Sequence, residues 1–69
     1  MNQTEVENAV IEVLTQEGPM EYGALMTAVP GASPERVAVA AWRLRDNKRL
    51  KFKLQSRPGE KPLHTVEVL

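Results

Sequence analysis

The hydrophobic period of this chain changes once, at Asn47, and that change restricts the folds open to it. As far as Leu44 the apolar residues recur at intervals of three and four, the spacing of a buried helical stripe. From Leu50 onward they alternate with polar residues, the spacing of a half-buried strand. All five prolines fall between or outside the periodic segments. A helical part followed by one hairpin defines an α+β domain in which the sheet must lie on the helices, since a two-stranded hairpin is marginal by itself.

Three helices are predicted. Thr4-Glu5-Val6-Glu7 has the spacing of a capping box. Val6, Ala9, Val10, Val13 and Leu14 then form one stripe, and Gly18-Pro19 stops it, so the first helix covers about residues 5–17. A shorter apolar face, Leu25, Ala28 and Val29, predicts a second helix over about 22–29. It is weakened by Gly23 and ended by Pro30, which pushes the residue before it out of the helical region. Ser33 is a good N-cap and Pro34 suits the first helical position. The third helix runs over about 34–46 with Val37, Ala40, Ala41 and Leu44 inward, and Asn47 is expected to take the left-handed cap conformation.

Two strands are expected over about 49–56 and 63–69, joined by the turn residues Arg57-Pro58-Gly59-Glu60. Folding about Pro58-Gly59 sets Leu54 opposite His64, Phe52 opposite Val66 and Leu50 opposite Val68. Lys51 then faces Glu67 on the other side of the sheet. A single domain spanning residues 1–69 accommodates all of this.

Charge is distributed unevenly. Residues 1–35 carry six glutamates and no Lys or Arg, whereas residues 36–69 carry all nine Lys and Arg against Asp46, Glu60 and Glu67, so a formally neutral chain divides into halves of −6 and +6. The stretch RLRDNKRLKFK, residues 43–53, concentrates six of the nine cations. Such asymmetry points to nucleic acid or another acidic partner for the basic half. The chain has no cysteine, which fits a reducing compartment and leaves no disulfide or thiolate site. Its longest apolar run, Val37 to Trp42, is far below the ~20 residues needed to cross a bilayer. The expectation is a soluble, cytoplasmic protein with no membrane partner.

The order helix, short extended segment (Pro19-Met20), helix, four-residue turn, helix, hairpin resembles the winged helix-turn-helix superfamily over essentially the whole chain. Leu25, the turn Pro30-Gly31-Ala32-Ser33, the inward residues Val37, Ala41 and Leu44, then Asn47 and the strand Leu50 to Leu54 carry the resemblance. It implies a recognition helix, the third, in the major groove of duplex DNA and a wing that touches phosphates or the minor groove. Arg36, Arg43, Lys48, Arg49, Lys51, Lys53, Arg57 and Lys61 are then expected to form one DNA-binding surface, with the acidic first helix behind it. The function that follows is that of a small duplex-DNA-binding protein, a bacterial or phage-type transcriptional regulator or accessory factor. It would need no cofactor and no small-molecule substrate. The same basic surface could serve RNA.

The outward side of the third helix departs from the superfamily pattern. Between Pro34 and Asp46 there is no Ser, Thr, Asn or Gln, and Ala38, Val39 and Trp42 occupy the side where Arg36 and Arg43 are expected. An exposed apolar patch marks a protein contact more often than a DNA contact. The alternative reading is therefore a winged-helix interaction module that binds another protein, or a second copy, through Val39 and Trp42. The ring of Trp42 is also expected to fold back over the wing or the second helix. His64, with no Cys or second His near it, reads as a partly buried packing residue and not a metal ligand, because zinc needs three or four converging donors. Tyr22 could pack or could donate its hydroxyl to a phosphate. No Cys nucleophile, paired His or glycine-rich phosphate cradle is present, so no enzymatic activity is inferred.

Overall fold

The structure, a computed structural model, describes residues 1–69. Helix α1 spans Gln3–Glu17, strand β1 Met20–Glu21, helix α2 Tyr22–Met26, helix α3 Pro34–Asp46, strand β2 Leu50–Gln55 and strand β3 Leu63–Val68. The core is wholly apolar. Val6, Val10 and Leu14 of α1 meet Val37, Ala40, Ala41 and Leu44 of α3, with Leu25, Val29, Leu50 and Val66 closing the remaining sides.

Helix α1 starts two residues earlier than the Thr4 box implies. Asn2 is the N-cap: its side chain accepts from the Glu5 amide at 2.8 Å, while the Glu5 carboxylate accepts from the Asn2 amide at 3.3 Å. Asn2-x-x-Glu5 has the same spacing as Thr4-x-x-Glu7, and Asn caps at least as well as Thr, so the longer helix wins.

Helix α2 ends at Met26, not Val29. The next amides turn back onto nearer carbonyls, Thr27 N to Ala24 O (3.2 Å) and Ala28 N to Leu25 O (3.1 Å), because Pro30 bars Val29 from helical geometry. Val29 is nevertheless buried, held in the core by the turn and not by the helix.

At the end of α3 the left-handed residue is Lys48 (φ 60°), not Asn47, which sits at φ −85°. The Arg49 amide reaches the Leu44 carbonyl at 2.8 Å and the Lys48 amide reaches the Arg45 carbonyl at 2.9 Å. Those two bonds define a Schellman stop, which places the positive φ one residue beyond the cap.

The hairpin register is the expected one, Leu50 on Val68, Phe52 on Val66 and Leu54 on His64. Two features go beyond the hairpin. The extended segment before α2 pairs with β3, Met20 on Val66 and Glu21 on Thr65, so the sheet has three strands in the order β1-β3-β2. And the sheet's inner face is covered only in its proximal half: Leu50 and Val66 are buried and Phe52 half-buried, but Leu54 is 62% exposed and His64 is exposed. The expectation of a partly buried His64 fails because no helix reaches that far along the wing, in a molecule extended to 41 × 22 × 20 Å. On the other face Glu67 stands opposite Lys51 but pairs diagonally with Lys53, at 3.1 Å.

Candidate nucleic-acid interface

A helix turns ~100° per residue, so the buried set Val37, Ala40, Ala41 and Leu44 defines the side of α3 that faces inward. Diametrically outward are Glu35, Val39, Trp42 and Asp46, all exposed. Arg36 and Arg43 share a flank about 100° from the core, not the outward side. Arg36 is committed to that flank: its Nη1 donates to the Met1 carbonyl at 2.8 Å, and its own carbonyl accepts from Gln3 Nε2 at 3.4 Å, tying it to the start of α1.

The other candidate cations lie in separate places. Lys51 and Lys53 project from the solvent face of the sheet, with Thr65 and Glu67, opposite to the face that meets the helices. Lys48 and Arg49 occupy the α3–β2 turn. Arg57 and Lys61 sit at the wing tip, where with Gln55, Glu60 and Leu63 they line a shallow concavity of about 170 Å³. The fold thus distributes the eight along the α1 flank of α3, the turn, the outer sheet face and the tip. Seven of them have no carboxylate within 4.0 Å, Lys53 being the exception, so their charge is not neutralised inside the protein.

Sequence reasoning missed a cluster on the remaining side. Trp42 does fold back: its Nε1 donates to the Tyr22 hydroxyl at 3.2 Å, and its ring stands edge-on to Phe52 with centroids 5.1 Å apart. Tyr22 meets Phe52 in the same way at 5.9 Å. Edge-to-face pairs of this kind contribute about 0.5–1.5 kcal/mol beyond their buried area. The Arg45 guanidinium lies 4.3 Å above the Trp42 ring and 5.5 Å from that of Phe52. The i, i+3 spacing of Trp42 and Arg45 was the one signal available in the sequence. Beside these rings is a cavity of about 260 Å³, lined by Tyr22, Trp42, Phe52, His64, Thr65 and Val66. No three His, Cys, Asp or Glu side chains converge as a metal site would require, and no helix is long and apolar enough to cross a membrane.

No family model matches the sequence, and no curated protein matches it. Among solved structures the chain is similar to a Zalpha domain of PKZ from Carassius auratus, determined in complex with Z-DNA. The likeness covers 97% of each chain with a TM-score of 0.73 at 18% sequence identity. At that identity the likeness is one of fold. Three helices, a helix-turn-helix between α2 and α3, and a β-hairpin on a three-stranded sheet make this a winged helix-turn-helix.

Proposed function

We propose that the chain is a small DNA-binding domain that holds nucleic acid through the wing and the adjoining parts of α3, without cofactor. It would act as a transcriptional regulator or accessory DNA-binding factor of bacterial or phage type. The observation that carries this reading is the set of exposed cations Lys48, Arg49, Lys51, Arg57 and Lys61, which have no internal counter-ion, on the half of the chain that holds no part of acidic α1. Cations left unpaired in this way are available to displace the counter-ions of a phosphate backbone. The Zalpha domain, similar in fold, was solved with Z-DNA, which adds support from outside the chain.

Glu35 and Asp46 on the outward side of α3 would repel phosphates, so the wing and turn supply most of the electrostatic attraction. If about 4 to 6 cations meet phosphates, log K should fall against log salt with a slope of roughly −4 to −5. An anisotropy titration of random duplex DNA between low and moderate salt measures this. A flat salt response, or no binding at low salt, removes the DNA reading.

A second reading rests on Val39, an apolar side chain 50% exposed in the middle of the outward side of α3 and flanked by Glu35 and Asp46. In this reading the same helix is a docking surface for a protein, and the wing is incidental.

A further inference from the structure

We propose that the cleft between α2, α3 and the wing accepts a single unstacked nucleobase of single-stranded DNA, so that the protein favours exposed bases over an uninterrupted duplex. The inference rests on the DNA-binding reading above and names the part of the nucleic acid that the aromatic side would take.

Two observations lead to it. Trp42 is 45% exposed although the fold has already ordered its ring against Phe52 and Tyr22. The Trp42 N–H is satisfied by the Tyr22 hydroxyl and Phe52 is edge-on to both rings, so the aromatic wall is assembled before any ligand arrives. Pre-ordered aromatic faces of this kind are what bases stack on, at about 1–3 kcal/mol per base, without demanding a particular sequence.

The rest of the cleft fits the same ligand. Its volume of about 260 Å³ lies below the ~300–1,000 Å³ of pockets that enclose drug-sized molecules, which suits one ring system and not a longer segment. Val66 provides an apolar floor. At the rim the exposed His64 imidazole can meet the polar edge of a base. The Arg45 guanidinium lies 4.3 Å over the Trp42 ring, outside the lining of the cleft, and helps to hold that ring in place. Arg57 and Lys61 farther along the same hairpin can hold the flanking phosphates. A plain apolar ligand would use none of these charges. In a B-form duplex the base faces are covered by their neighbours, so only the edges could reach the cleft.

Trp42 is the only tryptophan, so its emission reports on the cleft directly. Three probes of equal length are titrated at one salt concentration: an oligodeoxyadenylate, the same backbone with abasic residues, and a fully paired duplex. The expected result is that the oligodeoxyadenylate quenches Trp42 and binds roughly 5- to 100-fold more tightly than the abasic strand, from the stacking of one base. The duplex should bind through its phosphates with little quenching. Trp42→Leu should reduce binding of the oligodeoxyadenylate to the abasic level. His64→Ala, at the exposed rim, carries the same direction of effect should Trp42→Leu lose its helical circular dichroism. Equal affinity for normal and abasic strands overturns this inference alone, as does a duplex that quenches as fully as the single strand. Failure of all three probes to bind at low salt overturns the DNA-binding reading together with it.

Discussion

Lys48 offers the cleanest test of the backbone argument. Its φ of 60° places a side-chain-bearing residue in the left-handed region, where Cβ crowds the following carbonyl at a cost of about 1–2 kcal/mol. Lys48→Gly removes that crowding and retains the amide that donates to Arg45, so both bonds of the Schellman stop survive. Against this, glycine loses more conformational freedom on folding, about 0.5–1 kcal/mol relative to alanine. The balance favours Lys48→Gly by roughly 0.5–1 kcal/mol, and no ion pair is lost because Lys48 makes none. Unfolding entropy of ~2.1 cal/mol/K per residue converts this to a rise in Tm of about 3–7 °C for a chain of this length. Lys48→Ala separates the backbone effect from the loss of a charge: alanine keeps the Cβ, so its stability should stay within about 0.5 kcal/mol of the parent. Thermal melts with urea titrations of equal m-value measure both. A Lys48→Gly protein no more stable than Lys48→Ala would refute the claim that the left-handed turn is strained.

Two further outcomes concern binding. Arg57→Ala with Lys61→Ala, at an exposed tip outside the core, should weaken DNA binding about equally on all sequences while Tm stays put; an unfolded double variant would show that the tip is structural. Val39→Asp adds a third carboxylate between Glu35 and Asp46. If α3 docks on a protein it should abolish self-association or partner binding in sedimentation while DNA affinity holds, whereas a fall in DNA affinity of several-fold or more would place the outward side of α3 against the phosphates.

Much of the fold was legible in local pattern. Val37, Ala40, Ala41 and Leu44 are inward on α3 as their spacing requires, because a helix fixes each side chain's direction about its own axis. The hairpin pairing followed from the position of Pro58-Gly59, because strand parity leaves only one register that gathers the apolar residues on one face. Helix ends were less legible. Asn2 and Thr4 compete as caps, and the strain at Lys48 depends on which carbonyls the last amides can reach.

What only the tertiary structure decided is how far each element extends past its neighbours. Periodicity put Leu54 and His64 on the inner face, but nothing local says that the helices stop short of them. Wheel position set Arg36 and Arg43 on one side of α3, but the capture of Arg36 by the Met1 carbonyl, 35 residues away, depends on how α1 lies across that helix. The cleft is the fullest case. Tyr22, Trp42 and Phe52 come from three elements, each with a side chain that local pattern treats as ordinary packing. The chain by itself determined which way these rings point from their own backbones, while the packing of α2, α3 and the sheet brought them together and left one side open.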